Sequence, residues 1–214
     1  MKPIGVTKIV GIPAVGSLQE NIDPLDKVIP NRIIDNTNGI SNTFFGNGLV
    51  AHVSMADPFC TVMSKKISDL IKSMELNHHT VKTLNIIEAP QFSTYAESHL
   101  HRKRGGDIIG MTIAPEAKLA REAKICYSSI AMTTDYDYWN RSQDPITFQI
   151  VVSNLHKNVS NVRYLIKNVS EIANLSDGTY PCRASLSDAM IKDRLELNSD
   201  LIHKLQPIVG KYIN

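Results

Sequence analysis

The chain holds only three cysteines, Cys60, Cys126 and Cys182, and a single tryptophan, Trp139, among its 214 residues. Three cysteines are too sparse for a secreted disulfide scaffold, and they show no paired spacing of the kind zinc ligands need. The expectation is therefore free thiols in a reduced, cytoplasmic interior, with no metal. Charge of one sign is also lacking, since 23 Lys and Arg face 21 Asp and Glu for a formal charge of +2. That balance excludes the broad basic field of a nucleic-acid-binding surface. The one basic cluster, His99 to Arg104, precedes Gly105-Gly106 and reads as the cationic end of a helix, where the dipole favours it. No apolar run approaches the ~20 residues that cross a bilayer, so no membrane partner is expected. Without a hydrophobic leader, the Asn-x-Ser triplets at Asn158, Asn168 and Asn174 reflect an Asn- and Ser-rich composition rather than glycosylation. Repeats, low-complexity tracts and linkers are absent, so residues 1–214 form one domain, with the 43% apolar and 21% charged content of an ordinary globular protein.

Strand and helix patterns alternate along the chain. Thr7 to Val15 is β-branched and ends at Gly16-Ser17, which predicts a strand feeding a turn. Further strands are predicted at Lys27–Ile34, Gly48–Val53, Val81–Glu88, Asp107–Met111 and Ile125–Met132. Asp57-Pro58 starts a predicted helix that runs to about Glu75, with Val62, Ile67, Leu70, Ile71 and Met74 at helical spacing. Other helices are predicted at Thr94–Arg104, Pro115–Lys124, Ile146–Ile172 and about Asn198–Tyr212. Such alternation implies a three-layer α/β domain around a parallel or mixed sheet.

The chemistry-bearing residues collect where these strands end. Asp135 and Asp137, in Thr-Asp-Tyr-Asp-Tyr-Trp, follow the apolar strand Ile125–Met132. Two carboxylates at the carboxyl end of an inner strand can take different protonation states and hence different roles. Asp-x-Asp equally suits a helix N-cap with a first-turn acid. Two more strand ends, Glu88 to Ser93 and Gly110-Met111-Thr112, add an aromatic plate (Phe92), a soft apolar surface (Met111) and hydroxyls. This inventory fits a planar heterocycle joined to a polar sugar.

Beyond these residues, the chain resembles the methylthioadenosine phosphorylase branch of the purine nucleoside phosphorylase family. The resemblance rests on Ala14 to Leu18, Thr43 to Gly48, His52 to Cys60, Glu88 to Thr94, Ala96 to Ser98, Gly106 to Thr112, Pro115-Glu116 and Cys126 to Trp139. It covers essentially the whole chain, and no short motif carries it alone. It implies a three-layer nucleoside phosphorylase-like α/β fold with a mixed central sheet, and a reaction in which phosphate displaces adenine from methylthioadenosine. The same resemblance implies that Asp135 hydrogen-bonds or protonates the purine at N7, that Asp137 holds the 6-amino edge and that Phe92 stacks on the base. Met111 would lie against the ribose, Thr112 and Ala14 would meet phosphate, and Ile146, Phe148 and Val151 would wall the 5′-methylthio group. His52 would be lent across the interface of a homotrimer. For Phe148 and Val151 helical spacing accounts equally well for core packing, and His52 equally suits a satisfied polar residue near a strand end. Inorganic phosphate is the implied co-substrate, with no cofactor and no metal.

Departures from the family pattern are concentrated on the phosphate side. Met1 aligns inside the family, so the first strand, its glycine-rich loop and an Arg-His pair have no counterpart, and Pro13, Asn36, Ala89 and Gln91 replace residues usual at those positions. The expectation is a fold lacking its first strands, an intact purine half and a weakened anion half. Three readings stay open: a shortened phosphorylase, a degenerate paralogue that binds purine nucleosides or only partner chains, and a phosphorylase of other specificity.

Overall fold

A computed structural model describes residues 1–46, 48–140, 148–174, 180–190 and 199–213. Seven strands and five α-helices are described: β1 (Lys8–Gly11), β2 (Ala14–Ser17), β3 (Lys27–Asp35), α1 (Thr61–Ser73), β4 (His78–Ile86), α2 (Tyr95–Lys103), β5 (Ile108–Gly110), α3 (Ile113–Glu122), β6 (Cys126–Ser129), β7 (Ala131–Asp135), α4 (Phe148–Asn174) and α5 (Ser199–Ile213). The sheet is mixed, as the sequence suggests, and it winds further than an open layer. Strands β2-β5-β4-β3-β7 close into a barrel, while β1 and β6 pair beside it. Apolar side chains of α1 and α4 (Met63, Ile67, Ile71, Leu165, Val169) cover one flank around Ile29, Ile130 and Met132. Those of α3 and α5 (Ala114, Ala117, Ala120, Leu205, Val209) cover the other around Val28, Leu84 and Ile108. Each flank buries the apolar stripe that helical spacing places on one side of its helices.

Two predicted strands turn out to be four. Thr7–Val15 divides into β1 and β2 because Pro13 has no amide to donate and restricts Ile12 before it. Ile125–Met132 divides at Ile130 into β6 and β7. The breaks match: β1 runs parallel to β6, β2 runs parallel to β7, and across the bend the Ile130 and Met132 amides donate to the carbonyls of Gly11 and Pro13 at 2.9 Å each. Gly16 and Ser17, expected as a turn, continue β2.

The strand expected at Gly48–Val53 does not form. It is replaced by isolated bridges, Gly46 to Leu49 and Ala51 to Met190, because its neighbour is the turn-rich segment 181–190 rather than an extended strand. Helix α1 starts at Thr61 rather than Asp57, because the Cys60 amide donates to the Tyr127 carbonyl at 2.7 Å and holds the chain extended until then. Helix α2 begins on a reciprocal capping box between Thr94 and Glu97 and ends with His101, Arg102 and Lys103 in its last turn. Arg102 lies 3.7 Å from the ring centroid of Trp139.

The cysteine expectation is also corrected. Cys126 and Cys182 form a disulfide, and buried Cys60 is free. The sulfurs of all three lie within 4.8 Å of one another. Spacings of 66 and 56 residues conceal this, because α4 returns the chain so that the 3-10 turn Pro181–Ala184 lies against β6. Asn158 is buried, with its amide donating to the Thr133 carbonyl at 2.9 Å, so that triplet is structural. No helix among the described residues is long and apolar enough to cross a membrane.

Candidate active site

A cavity of about 610 Å³ opens where β1, β2, β5 and β7 end. Asp135, Asp137, Phe92, Met111, Thr112, Ala14 and Val151 line it, together with Gly11, Gly16, Ile109 and Glu116. Seven of the residues singled out in the sequence thus meet around one space. His52 does not line it: its amide donates to the Ala189 carbonyl at 2.8 Å on another part of the surface. Ile146 lies outside the described residues, and Phe148 is described only as the first residue of α4, without its side chain.

The two acids are held in different ways. Asp135 ends β7, where one carboxylate oxygen accepts the Thr134 hydroxyl at 2.7 Å and the other accepts the Asp137 amide at 2.8 Å. Burial pushes its pKa up, and those two donors pull against the rise. Asp137 is 4% exposed and sits at φ +50°, in the left-handed region that asparagine and aspartate tolerate better than most residues. Its carboxylate accepts a short hydrogen bond from the Ser98 hydroxyl of α2. Burial, with the Asp135 charge adding to it and Ser98 opposing it, raises the Asp137 pKa to about 6. The Tyr138 amide also opposes the rise at Asp137, so burial outweighs both of its donors. Burial thus raises both carboxyls, and two acids this close titrate as a pair.

The supporting groups were not legible in the sequence. Gly16 in β2 runs against the pair: a Cβ there would stand 3.0 Å from Asp135 Oδ1, 3.1 Å from Ile109 and 3.4 Å from Asp137 Cβ. Helix α4 presents Asn154 and Asn158 one turn apart, and their amides donate to the carbonyls of Thr134 and Thr133 at 2.8 and 2.9 Å. The strand that delivers Asp135 is thereby pinned from outside the barrel. The nearest sequence signal was the pair of asparagines four residues apart on an otherwise apolar helix face. Trp139 donates its indole N–H to the Ser17 carbonyl at 2.8 Å, fixing the turn after Asp137 to β2. Phe92 is 53% exposed at the cavity mouth, 6.4 Å between centroids from Tyr138, so one ring face is open to a planar ligand. Opposite the acids, α3 begins at Ile113 and directs its N-terminus, with Thr112 at the cap, into the cavity. Exposed amides and a partial positive charge suit that end to an anion. Deeper in the wall, Tyr127 donates to Glu116 at 2.5 Å, and burial together with this carboxylate raises the phenol pKa far above its usual range. No lysine or arginine lines the cavity among the described residues.

Known proteins resemble the chain in sequence and in fold over most or all of its length. The family model for the phosphorylase superfamily matches residues 1–171. An S-methyl-5'-thioadenosine phosphorylase of Geobacter sulfurreducens is 41% identical over 214 residues, covering 100% of this chain and 74% of that protein. Its counterpart from Nitrosopumilus maritimus is 41% identical over 188 residues, 88% of this chain and 70% of that protein. Among solved structures, a methylthioadenosine phosphorylase from an antarctic soil metagenomic library superposes with a TM-score of 0.90 at 39% identity, covering 97% of this chain and 73% of that one. The methylthioadenosine phosphorylase of Schistosoma mansoni, solved in complex with adenine, gives 0.83 at 30% identity, covering 88% and 74%. By the family-model match and these relatives, the chain belongs to the phosphorylase superfamily.

Proposed function

We propose that this chain catalyses phosphorolysis of S-methyl-5'-thioadenosine, giving adenine and 5-methylthioribose 1-phosphate. The observation that carries the reading is the convergence of a buried carboxylate, a half-buried one and the open face of Phe92 on one cavity. Phosphate attacks C1′, the C1′–N9 bond breaks, and its electron pair leaves with the purine. Adenine is a poor leaving group unless that negative charge is neutralised at N7, and a preorganised acid performs this step. In the proposed pose Phe92 covers the base, Asp135 faces N7 and Asp137 faces the 6-amino group. The pair stores the proton until the base displaces water. An acceptor carboxylate beside the 6-amino group selects against a 6-oxo group, which would also be an acceptor. Met111 and Val151 offer the apolar surface that a methylthio group requires, and Thr112 with the N-terminal amides of α3, next to Ala14, offers the place for phosphate. No metal or organic cofactor enters this chemistry.

A second reading has its own support, because no Lys or Arg lines the anion side. A phosphate dianion paired only with amides and a hydroxyl would be under-compensated by several kcal/mol. On that reading the chain binds purine nucleosides without turning them over. Adenine release from S-methyl-5'-thioadenosine, with and without phosphate, separates the two. Phosphate-dependent release supports phosphorolysis, while a raised melting temperature with adenine but no release supports binding alone. Failure of adenine and of S-methyl-5'-thioadenosine to raise the melting temperature refutes both.

A homotrimer in the cytoplasm is part of the proposal. Its support is the apolar stripe that α4 leaves in solvent at Leu155, Val159 and Ile166, which an interface would cover. Light scattering of the purified chain gives the subunit number. In a reducing compartment, burial of all three sulfurs would protect the Cys126–Cys182 bond.

A further inference from the structure

At the opposite ends of β1 and β6 from the nucleoside cavity lies a pocket of about 240 Å³, lined by Lys2, Thr7, Lys124, Arg183, Lys211 and Tyr212. Four cationic side chains converge there from four parts of the chain: the N-terminal 3-10 turn, the end of α3, the turn Pro181–Ala184 and the end of α5. No carboxylate lines the pocket, and none of the four cations forms an ion pair with an acid among the described residues. Lys2 instead points at the Lys124 carbonyl at 3.5 Å, and the Lys124 ammonium lies 4.6 Å from the Tyr212 ring centroid. Like charges gathered without counter-charge repel one another. The amines show it: burial lowers the pKa of Lys124, with Lys2 and Lys211 adding to the effect, and burial lowers Lys2, with Arg183 adding.

Lys124 also occupies a position where lysine is disfavoured. It follows α3 at φ +56°, in the left-handed conformation in which helices usually end on glycine, and its amide closes the last turn on the Arg121 carbonyl at 3.1 Å. A side chain kept where glycine would relax the backbone, and kept among like charges, points to a use for its ammonium group.

We propose that the pocket formed by Lys2, Lys124, Arg183 and Lys211 is a binding site for a compact phosphate-class oxyanion, separate from the nucleoside cavity. An anion there neutralises the repulsion and gains charge-assisted hydrogen bonds from ammonium and guanidinium groups together. Thr7 also lines the pocket, and the Tyr212 ring supplies a flat apolar wall for the ester arm of a phosphomonoester. Free phosphate and a phosphomonoester share this chemistry, and the experiment separates them.

The test is calorimetric titration of the whole chain in low-salt buffer with inorganic phosphate and, separately, with ribose 5-phosphate. The double variant K124Q/K211Q should weaken phosphate binding at least tenfold, while the rise in melting temperature caused by adenine stays that of the unaltered chain. Tighter binding of ribose 5-phosphate than of phosphate, lost in K124Q/K211Q, assigns the site to an ester, and the reverse order, equally lost in that variant, assigns it to the free ion. Because the lysines repel one another, the double variant without anion should melt no lower than the parent, and R183Q, on a separate turn, should also weaken binding. Absence of saturable phosphate binding, a dissociation constant unchanged within twofold in K124Q/K211Q, or a lower melting temperature for the anion-free variant would each overturn the proposal.

Discussion

Replacing Asp137 by asparagine isolates the electrostatics on which the proposed chemistry depends. Burial raises the pKa of this carboxyl in the folded chain to about 6, from the 3.8 of an ordinary aspartate. Between those values the native state binds more protons than the unfolded chain, so stability falls as pH rises, and the whole penalty is present above pH 6. A rise of roughly 2 units at about 1.36 kcal/mol each sets a ceiling of ~3 kcal/mol for burying the ionised form. The side chain is 4% exposed, so solvent screening removes little of it. Asparagine keeps an oxygen to accept the Ser98 hydroxyl but never ionises. Its amide needs a new acceptor, a cost of about 1–3 kcal/mol that does not vary with pH. Urea unfolding of Asp137→Asn and of the parent at half-unit steps from pH 4 to 8 should give a stability difference that shifts toward the variant, by up to ~3 kcal/mol, between about pH 4 and pH 7. A difference that stays constant across that range would refute the idea that a buried, raised carboxyl sits at this position. The same variant should lose adenine affinity relative to hypoxanthine, because its amide can donate to a 6-oxo group. An unchanged preference would remove Asp137 from the amino edge of the base.

Three further outcomes follow from the same geometry. Gly16→Ala places a methyl group 3.0 Å from Asp135 Oδ1 and 3.1 Å from Ile109; it should cost about 1–3 kcal/mol by overpacking and weaken adenine binding in a titration, and intact binding would mean that β2 does not position the acids. Ser98→Ala removes the side-chain donor of the Asp137 carboxylate, so the fall of stability with pH should extend further upward, and the loss of about 1–3 kcal/mol should be largest above about pH 6, where the carboxylate is ionised; an unmoved midpoint would contradict the bond. Reduction of the Cys126–Cys182 bond, which joins positions 56 residues apart, should lower unfolding free energy by about 3–4 kcal/mol through the freed chain entropy, and denaturant curves that superpose with and without reductant would count against it.

The fold was legible wherever local spacing decides it. Helices α2, α3 and α5 were placed within a few residues by caps and apolar periodicity, and β3 by its β-branched run. What escaped was set by distant partners. Ile125–Met132 is apolar throughout, so nothing local shows the bend at Ile130 that lets one run serve two sheets. Gly48–Val53 reads as a strand, but only a neighbouring strand could make it one, and a turn lies there instead. For the candidate site, the acids and Phe92 stand at strand ends where sequence alone points to a ligand. Gly16, Ser98, Asn154 and Asn158 act by touching the acids or their strand across the fold, and single side chains carry no sign of such contacts. The cysteines show the same limit: their pairing depends on the return of the chain through α4, which no spacing rule contains.

The position of Trp139 gives the molecule a built-in optical probe. Its indole is the only one in the chain, it is tied to the Ser17 carbonyl of β2, and it is covered by the Arg102 guanidinium two residues beyond Asp137. Tryptophan emission therefore comes from this corner alone, and a shift in colour or intensity when a purine enters, or when denaturant first loosens the protein, tells when β2 and the turn carrying the acid part company, without any attached dye.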